Sequence, residues 1–174
     1  MDKPTVMKRL PPPIASALAE AAGRWNGLER PWLVGGSCGL VLHGVRVASE
    51  PRDLDVYVDA PDAPLFHRAM SPFAVDEQQP SETALYRSIL SHYRVGGVLL
   101  ELVAGFEVRT AGAEYRVEVP DLLASHALRT DAGGAPVGVM PLAHELAFNM
   151  LRGREDRYTA VAEAMCRDPA RHIA

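Results

Sequence analysis

The sequence predicts an α+β fold, a mixed β-sheet flanked by helices and followed by a helical C-terminal segment. Three observations predict it. Helical and extended periodicities alternate along the chain instead of segregating. The dipeptide Gly96-Gly97 joins two apolar runs as a hairpin turn would. The C-terminal part ends in two stretches of helical period. With 174 residues, 48% hydrophobic and 23% charged, the chain has the material for one proper core. It reads as one domain over residues 1–174, with its core at about 31–120 and its C-terminal helices at about 141–168.

The elements follow in order. Pro11-Pro12-Pro13 suits a helix start, and Ile14, Leu18, Ala21, Trp25 and Leu28 then recur at steps of four, three, four and three, the apolar stripe of an amphipathic helix. Trp32-Leu33-Val34 reads as a short buried strand, Gly35-Gly36 as a tight turn, and Ser37 as the N-cap of a helix carrying Leu40, Val41 and Leu42 to Gly44. A strand is expected at 53–60. Proline and aspartate at 61–64 open a helix with Leu65, Phe66, Ala69 and Met70 inward, and the polar stretch 76–83 reads as a loop. Leu85 to Phe106 reads as the hairpin and Glu114 to Val119 as another strand. After a glycine-rich loop at 133–138, two helices break near Gly153.

Composition excludes several classes. A net charge of −4 does not favour nonspecific binding to a phosphate polymer, although it leaves room for a local basic patch. Lys3 and Lys8 are the only lysines, so phosphate chemistry in the body of the chain falls to arginine, backbone amides or metal ions. Cys38 and Cys166 are too far apart in sequence, and in the wrong spacing, to suggest a disulfide framework or a zinc site. The longest apolar run, VGGVLLELVAGF, is interrupted by a glutamate and is too short to span a bilayer, and the N-terminus lacks the apolar segment of a signal peptide. A cytoplasmic protein without a membrane partner is expected.

The chemistry concentrates between residues 34 and 58. On a strand, Asp53 and Asp55 project from one face about 6.5–7 Å apart, while Leu54 and Val56 enter the other. Two carboxylates on a partly dry surface repel; they call for a raised pKa, an arginine partner or a divalent cation with oxygen ligands. Glu101, amid the apolar residues of LLELVAG, adds a third acid whose isolated burial would be costly. If its strand lies beside that of Asp53, the three acids converge on one or two magnesium ions. The competing reading pairs each acid with one of the sixteen arginines, Arg52 being nearest in sequence. Gly35-Gly36-Ser37, between a strand and a helix, offers backbone amides, a helix dipole and a hydroxyl to a phosphate, without the lysine of a Walker loop or the third glycine of a dinucleotide fingerprint.

Together VGGS, LHGVR, DLDVYV and LLELV resemble the polymerase-beta-type nucleotidyltransferase superfamily over about residues 31–160, and PLAHELAFNMLRGREDRY resembles the helical segment of its bacterial minimal and toxin-type members. The resemblance implies a magnesium-dependent transfer of a nucleoside monophosphate from a nucleoside triphosphate to a hydroxyl on an RNA end, a protein or a small molecule. By it, Gly35, Gly36 and Ser37, with Arg46 and Arg52, hold the nucleotide phosphates. Asp53, Asp55 and Glu101 bind up to two magnesium ions, and Glu101 helps to deprotonate the attacking hydroxyl. An antitoxin is among the partners it implies. The chain departs from the pattern in a longer glycine-to-aspartate interval, in glutamate as third acid, and in Asn149 where a helical lysine is common; Arg46, Arg52, Arg152 or Arg154 would then stabilise the leaving pyrophosphate. A nucleotidyltransferase-shaped binding or regulatory module without turnover is the alternative.

Other motifs carry less. His144-Glu145 lacks the second histidine of a zinc helix, so His144 reads as a surface or capping residue. His43 either faces the nucleotide or caps packing. Arg87 and Arg94 read as a solvated strand face.

Overall fold

The computed structural model describes residues 9–172. Its centre is an eight-stranded mixed sheet. The strands are β1 (Leu33–Val34), β2 (Asp53–Val58), β3 (Gln79–Glu82), β4 (Tyr86–Val95), β5 (Val98–Arg109), β6 (Glu114–Arg116), β7 (Leu128–Ala132) and β8 (Ala135–Val139). Their spatial order is β3-β4-β5-β2-β1-β8-β7, with β6 also paired to β5. β2 and β5 are parallel, as are β1 and β8, and the remaining pairs are antiparallel. The helices are α1 (Pro12–Trp25), α2 (Gly36–Leu42), α3 (Ala63–Met70), α4 (Leu142–Leu151) and α5 (Glu155–Arg167). This is the α+β architecture expected from the sequence, with the hairpin turning at Gly96-Gly97 and the C-terminal helices parted at Gly153.

The core divides by the two-residue period of the strands. Leu54, Val56, Leu100 and Leu102 enter one face, where Ile14, Leu18, Ala21 and Trp25 of α1 and Phe66 and Met70 of α3 cover them. The Trp25 ring stands edge-on to Trp32 and Phe66, with centroids at 5.2 and 5.5 Å, and its Nε1–H donates to the Phe66 carbonyl at 3.2 Å. On the opposite face Tyr57, Val103 and Phe106 meet Phe148 of α4, while Leu40 of α2 packs with Leu142 of α4 and Val161 of α5.

A bulge in β5 changes the parity of that strand. Between the pairs Ile89↔Ala104 and Arg87↔Glu107, β4 contributes one residue and β5 two, and Gly105 has φ +57°. This is the left-handed glycine that such a bulge requires, and a Cβ there would lie 2.8 Å from Ala60 Cβ. Before it the even residues of β5 face α1; after it Phe106 and Val108 face α4.

Several expectations need correction. The stretch 76–83 is not all loop: Gln79–Glu82 forms the edge strand β3, which carries Pro80 and is polar on both faces because an edge strand needs no core-facing pattern. The glycine-rich stretch 133–138 is not a loop either, since Gly133 and Gly134, both at positive φ, turn the β7–β8 hairpin. The strand expected at 53–60 stops at Val58, and that expected at 114–119 stops at Arg116. Ser37 is not the N-cap of α2; Gly35 is, because Gly36 already sits in the helix. In α3, Ala63, Phe66 and Met70 are buried, while Leu65 and Ala69 are only partly so.

Candidate active site

The register of β2 on β5 places Asp55 beside Glu101 and Asp53 beside Leu99. Paired residues of neighbouring strands point to the same side, so Asp55 and Glu101 lie next to each other, about 4.8 Å apart at the backbone, with Asp53 one pleat along. The three acids foreseen from the sequence therefore share a face. Among the described residues no arginine forms an ion pair with any of them, so the competing arginine reading does not hold.

The glycine bend is built against this acid strand. Gly35 N–H donates to the Asp55 carbonyl at 3.0 Å, tying the bend to β2. A Cβ on Gly35 would come within 2.6 Å of the Tyr57 ring, and one on Gly36, whose φ is +58°, would run into the Asp55 carboxylate. Both glycines thus allow a close approach between the start of α2 and the strand that bears the acids. Ser37 follows in the first turn of α2, where its Oγ accepts a hydrogen bond from Arg157 Nη2 at 2.9 Å. A cavity of about 120 Å³ opens beside it, lined in part by Ser37, Arg46, Ser49, Arg154 and Arg157. The bend and Arg46 are brought together; Arg52 is exposed and outside this cavity.

The electrostatics follow from burial and like charge. Burial pushes the Asp55 carboxyl up to about 7, Asp53 and Glu101 push the same way, and Arg157 and Arg152 pull back only in part. Glu101 is raised above the usual carboxylate range by burial, with Asp53 and Asp76 adding to the shift and His92 opposing it. Beneath the site Tyr57 is raised, by burial first and then by Asp55 and Glu145. Cys38, whose Sγ lies 3.1 Å from the Asp53 carbonyl, is pushed up to about 12 by burial and by Asp55 and Asp53, and is an inert thiol at neutral pH.

Carboxylate oxygens whose negative charge is only partly offset by His92, Arg152 and Arg157, facing a bend that carries no side chain, suit a hard divalent cation such as magnesium. Among the described residues no three His, Cys, Asp or Glu side chains are already drawn together as a metal cluster, so a cation would complete the arrangement rather than enter a finished cage.

Sequence reasoning missed Arg157, Glu145, His92 and Asp76 as participants, and named Asn149 without its contacts. Arg157, and not the arginines named from the sequence, contacts Ser37. Glu145 of α4 is 2% exposed, and burial raises its carboxyl to about 7. Its position three residues after Leu142 and three before Phe148 puts it on the buried stripe, a legible signal. Asn149, where a lysine is common, is also buried; its Nδ2 donates to Glu145, and its Oδ1 accepts from Arg152 Nε at 3.0 Å and Nη2 at 2.6 Å. On the other flank His92 of β4 is the cross-strand partner of Glu101, with Nε2 3.7 Å from Oε2, while Asp76 accepts from both the His92 backbone N–H and Nδ1–H. His92 and Asp76 meet only through a long-range pairing, which no local pattern announces.

Of the two histidines, His144 departs from expectation and His43 takes the packing alternative. His144 is buried, not a surface or capping residue: it stacks on Phe148, and its Nδ1 lies 2.7 Å from the Tyr115 hydroxyl. His43 lies at the far end of α2 from the bend, with Nε2 2.7 Å from the Met140 carbonyl, so it does not face the nucleotide position.

The chain has a nucleotidyltransferase-type fold. It superposes on a crystal structure of an inferred nucleotidyltransferase from Thermotoga maritima with a TM-score of 0.72 and 22% identity, over 91% of this chain and 96% of that one. ANT(2″)-Ia in complex with adenylyl-2″-tobramycin gives a TM-score of 0.52 at 12% identity, over 87% and 89% of the two chains. The lincosamide antibiotic adenylyltransferase LnuA, lincomycin-bound, gives 0.52 at 11%, over 85% and 94%. No family model and no curated protein sequence matches the chain. Among the described residues no helix is long and apolar enough to cross a membrane.

Proposed function

We propose that the protein transfers a nucleoside monophosphate from a nucleoside triphosphate to a hydroxyl of a small molecule. The observation that carries this reading is the in-register pairing of Asp55 with Glu101 against a side-chain-free Gly36. The fold shared with two antibiotic adenylyltransferases supports a small-molecule acceptor, as does the negative net charge of −4, which disfavours a nucleic-acid chain.

The residues divide the work. The amides at the start of α2 and the Ser37 hydroxyl face the triphosphate, with Arg157 and Arg46 as its cationic wall. Asp53, Asp55 and Glu101 would hold magnesium, which supplies charge neutralisation at the reacting phosphate when bound. Glu101 takes the proton of the acceptor hydroxyl, its carboxyl raised toward the range where a base is effective. The hydroxyl oxygen bonds to the α-phosphorus, the bond from that phosphorus to the bridging oxygen breaks, and pyrophosphate leaves with the electron pair. Arg157 stabilises that charge without donating a proton, since a guanidinium stays charged. Asn149 has a different task from the lysine common at its place: it holds Arg152 beside Glu145.

The test is release of labelled pyrophosphate from each nucleoside triphosphate, with magnesium and a panel of hydroxylated small molecules, by the natural chain and by Asp55→Asn. Release that depends on the acceptor and vanishes in the variant supports transfer. Release that survives in Asp55→Asn removes the acid pair from the chemistry, and metal-independent nucleotide binding with no release would favour the non-catalytic module.

A further inference from the structure

A cavity of about 480 Å³, larger than the one beside Ser37 and sharing no residue with it, lies where the C-terminal end of α2 meets the first turn of α4. Arg129, Arg171, His43, His126 and His172 line it, and among the described residues no acidic residue does. We propose that this cavity is an anion site, separate from the carboxylate cluster, that takes a phosphate- or diphosphate-bearing small molecule.

The argument begins with charge. Arg24, Arg30, Arg109, Arg116 and Arg154 each pair with a carboxylate, whereas among the described residues neither Arg129 nor Arg171 does. One Arg129 nitrogen, Nη2, donates to the Ala124 carbonyl at 3.1 Å. Two unpaired guanidiniums at one concavity are the side chains best matched to phosphate oxygens. Leu142 and Ala143, the first residues of the ten-residue α4, form part of the wall, and this helix starts at Pro141 without a side-chain cap, so its first amides and dipole add to the positive field. Burial lowers both His43 and His172 and the nearby Arg171 adds to it, with Asp168 pulling back at His172; His43 falls to about 4 and stays neutral, its Nε2–H donating to the Met140 carbonyl. The volume suits a compact ligand, and among the described residues no Phe, Tyr or Trp lines the cavity.

The test uses the full chain without divalent metal, so that the acid cluster repels anions, with inorganic pyrophosphate, orthophosphate and 5′-AMP as probes in calorimetric titrations. Pyrophosphate binds, and Arg129→Ala/Arg171→Ala weakens it by about tenfold or more, while Arg94→Ala, at an exposed arginine outside both cavities, leaves it unchanged. Both substituted arginines are exposed, so the double variant keeps the natural thermal transition. Equal affinity for orthophosphate and 5′-AMP identifies the phosphate group as the whole determinant; tighter 5′-AMP binding, lost in the same double variant, identifies a larger phosphorylated molecule. No pyrophosphate binding, or loss in Arg157→Ala but not in the double variant, overturns the proposal. Tight binding of a short oligoribonucleotide with no binding of the small anions overturns it in favour of a nucleic-acid contact.

Discussion

The two faces of β2 and β5 are made by the same strands and differ in kind. On one, Leu54, Val56, Leu100 and Leu102 are sealed under α1 and α3. On the other, Asp53, Asp55 and Glu101 repel one another beside a glycine bend, and Glu145 is buried in the helix that covers the rest of that face. The first face holds the sheet rigid; the second gives up stability, and under the proposed function that uncovered charge is what a cation, with a triphosphate, would relieve. Sites that need unsatisfied charge tend to be destabilised in this way.

Substitutions sharpen or break that contrast. The largest effect falls on Asp55→Asn, for which pyrophosphate release drops about a thousandfold, in line with several kcal/mol of lost transition-state stabilisation. The same variant melts higher than the natural chain at pH 8, and a lower melting temperature would mean that the acid face is structural after all. Leu102→Ala acts on the sealed face: urea denaturation shows a loss of about 3 kcal/mol with the activity per folded molecule unchanged. Manganese affinity, followed by electron paramagnetic resonance, weakens about tenfold for each pH unit below the value of about 7 at Asp55, because protons compete with the ion for its carboxylate. A flat affinity between pH 5 and 8 would exclude Asp55 as a ligand.

The smallest effect belongs to Glu145→Gln. The folded chain holds the Glu145 carboxyl at about 7, above its ordinary value, so between about pH 4.5 and 7 the folded state keeps a proton that the unfolded state releases. The stability of the natural chain therefore falls as pH rises through that window, and Asp55 contributes in the same direction. Glutamine removes Glu145's share: the variant equals the natural chain near pH 4 and is about 1 kcal/mol more stable at pH 8 by thermal denaturation.

Much of this was legible in the residues. Asp-Leu-Asp on a strand fixes two acids to one side by period alone, and Glu101 could be found because a charge amid LLELVAG has no apolar reason to exist. The glycine pair marked the bend, although not its reason, which is contact with Tyr57 and Asp55 across the sheet. What escaped lacked a local signal. β3 is polar because it is an edge, and β8 is diluted by Pro136 and by Gly138, which must be small where a Cβ would come within 2.7 Å of Leu33. Arg157 reaches Ser37 across 120 positions of sequence, and His92 meets Glu101 only once the hairpin has closed.

The extra residue at Gly105 means that β5 is, in effect, two strands spliced out of phase. Its leading half keeps step with β2 and presents Glu101, while its trailing half feeds Phe106 and Val108 to the aromatic cluster under α4. Straightening the bulge with its residue retained would turn those two side chains toward the wrong layer and leave Phe148 facing Glu107 and Arg109. Deleting Gly105 would instead restore a plain alternation in which Phe106 follows Ala104 onto the opposite face and keeps its layer.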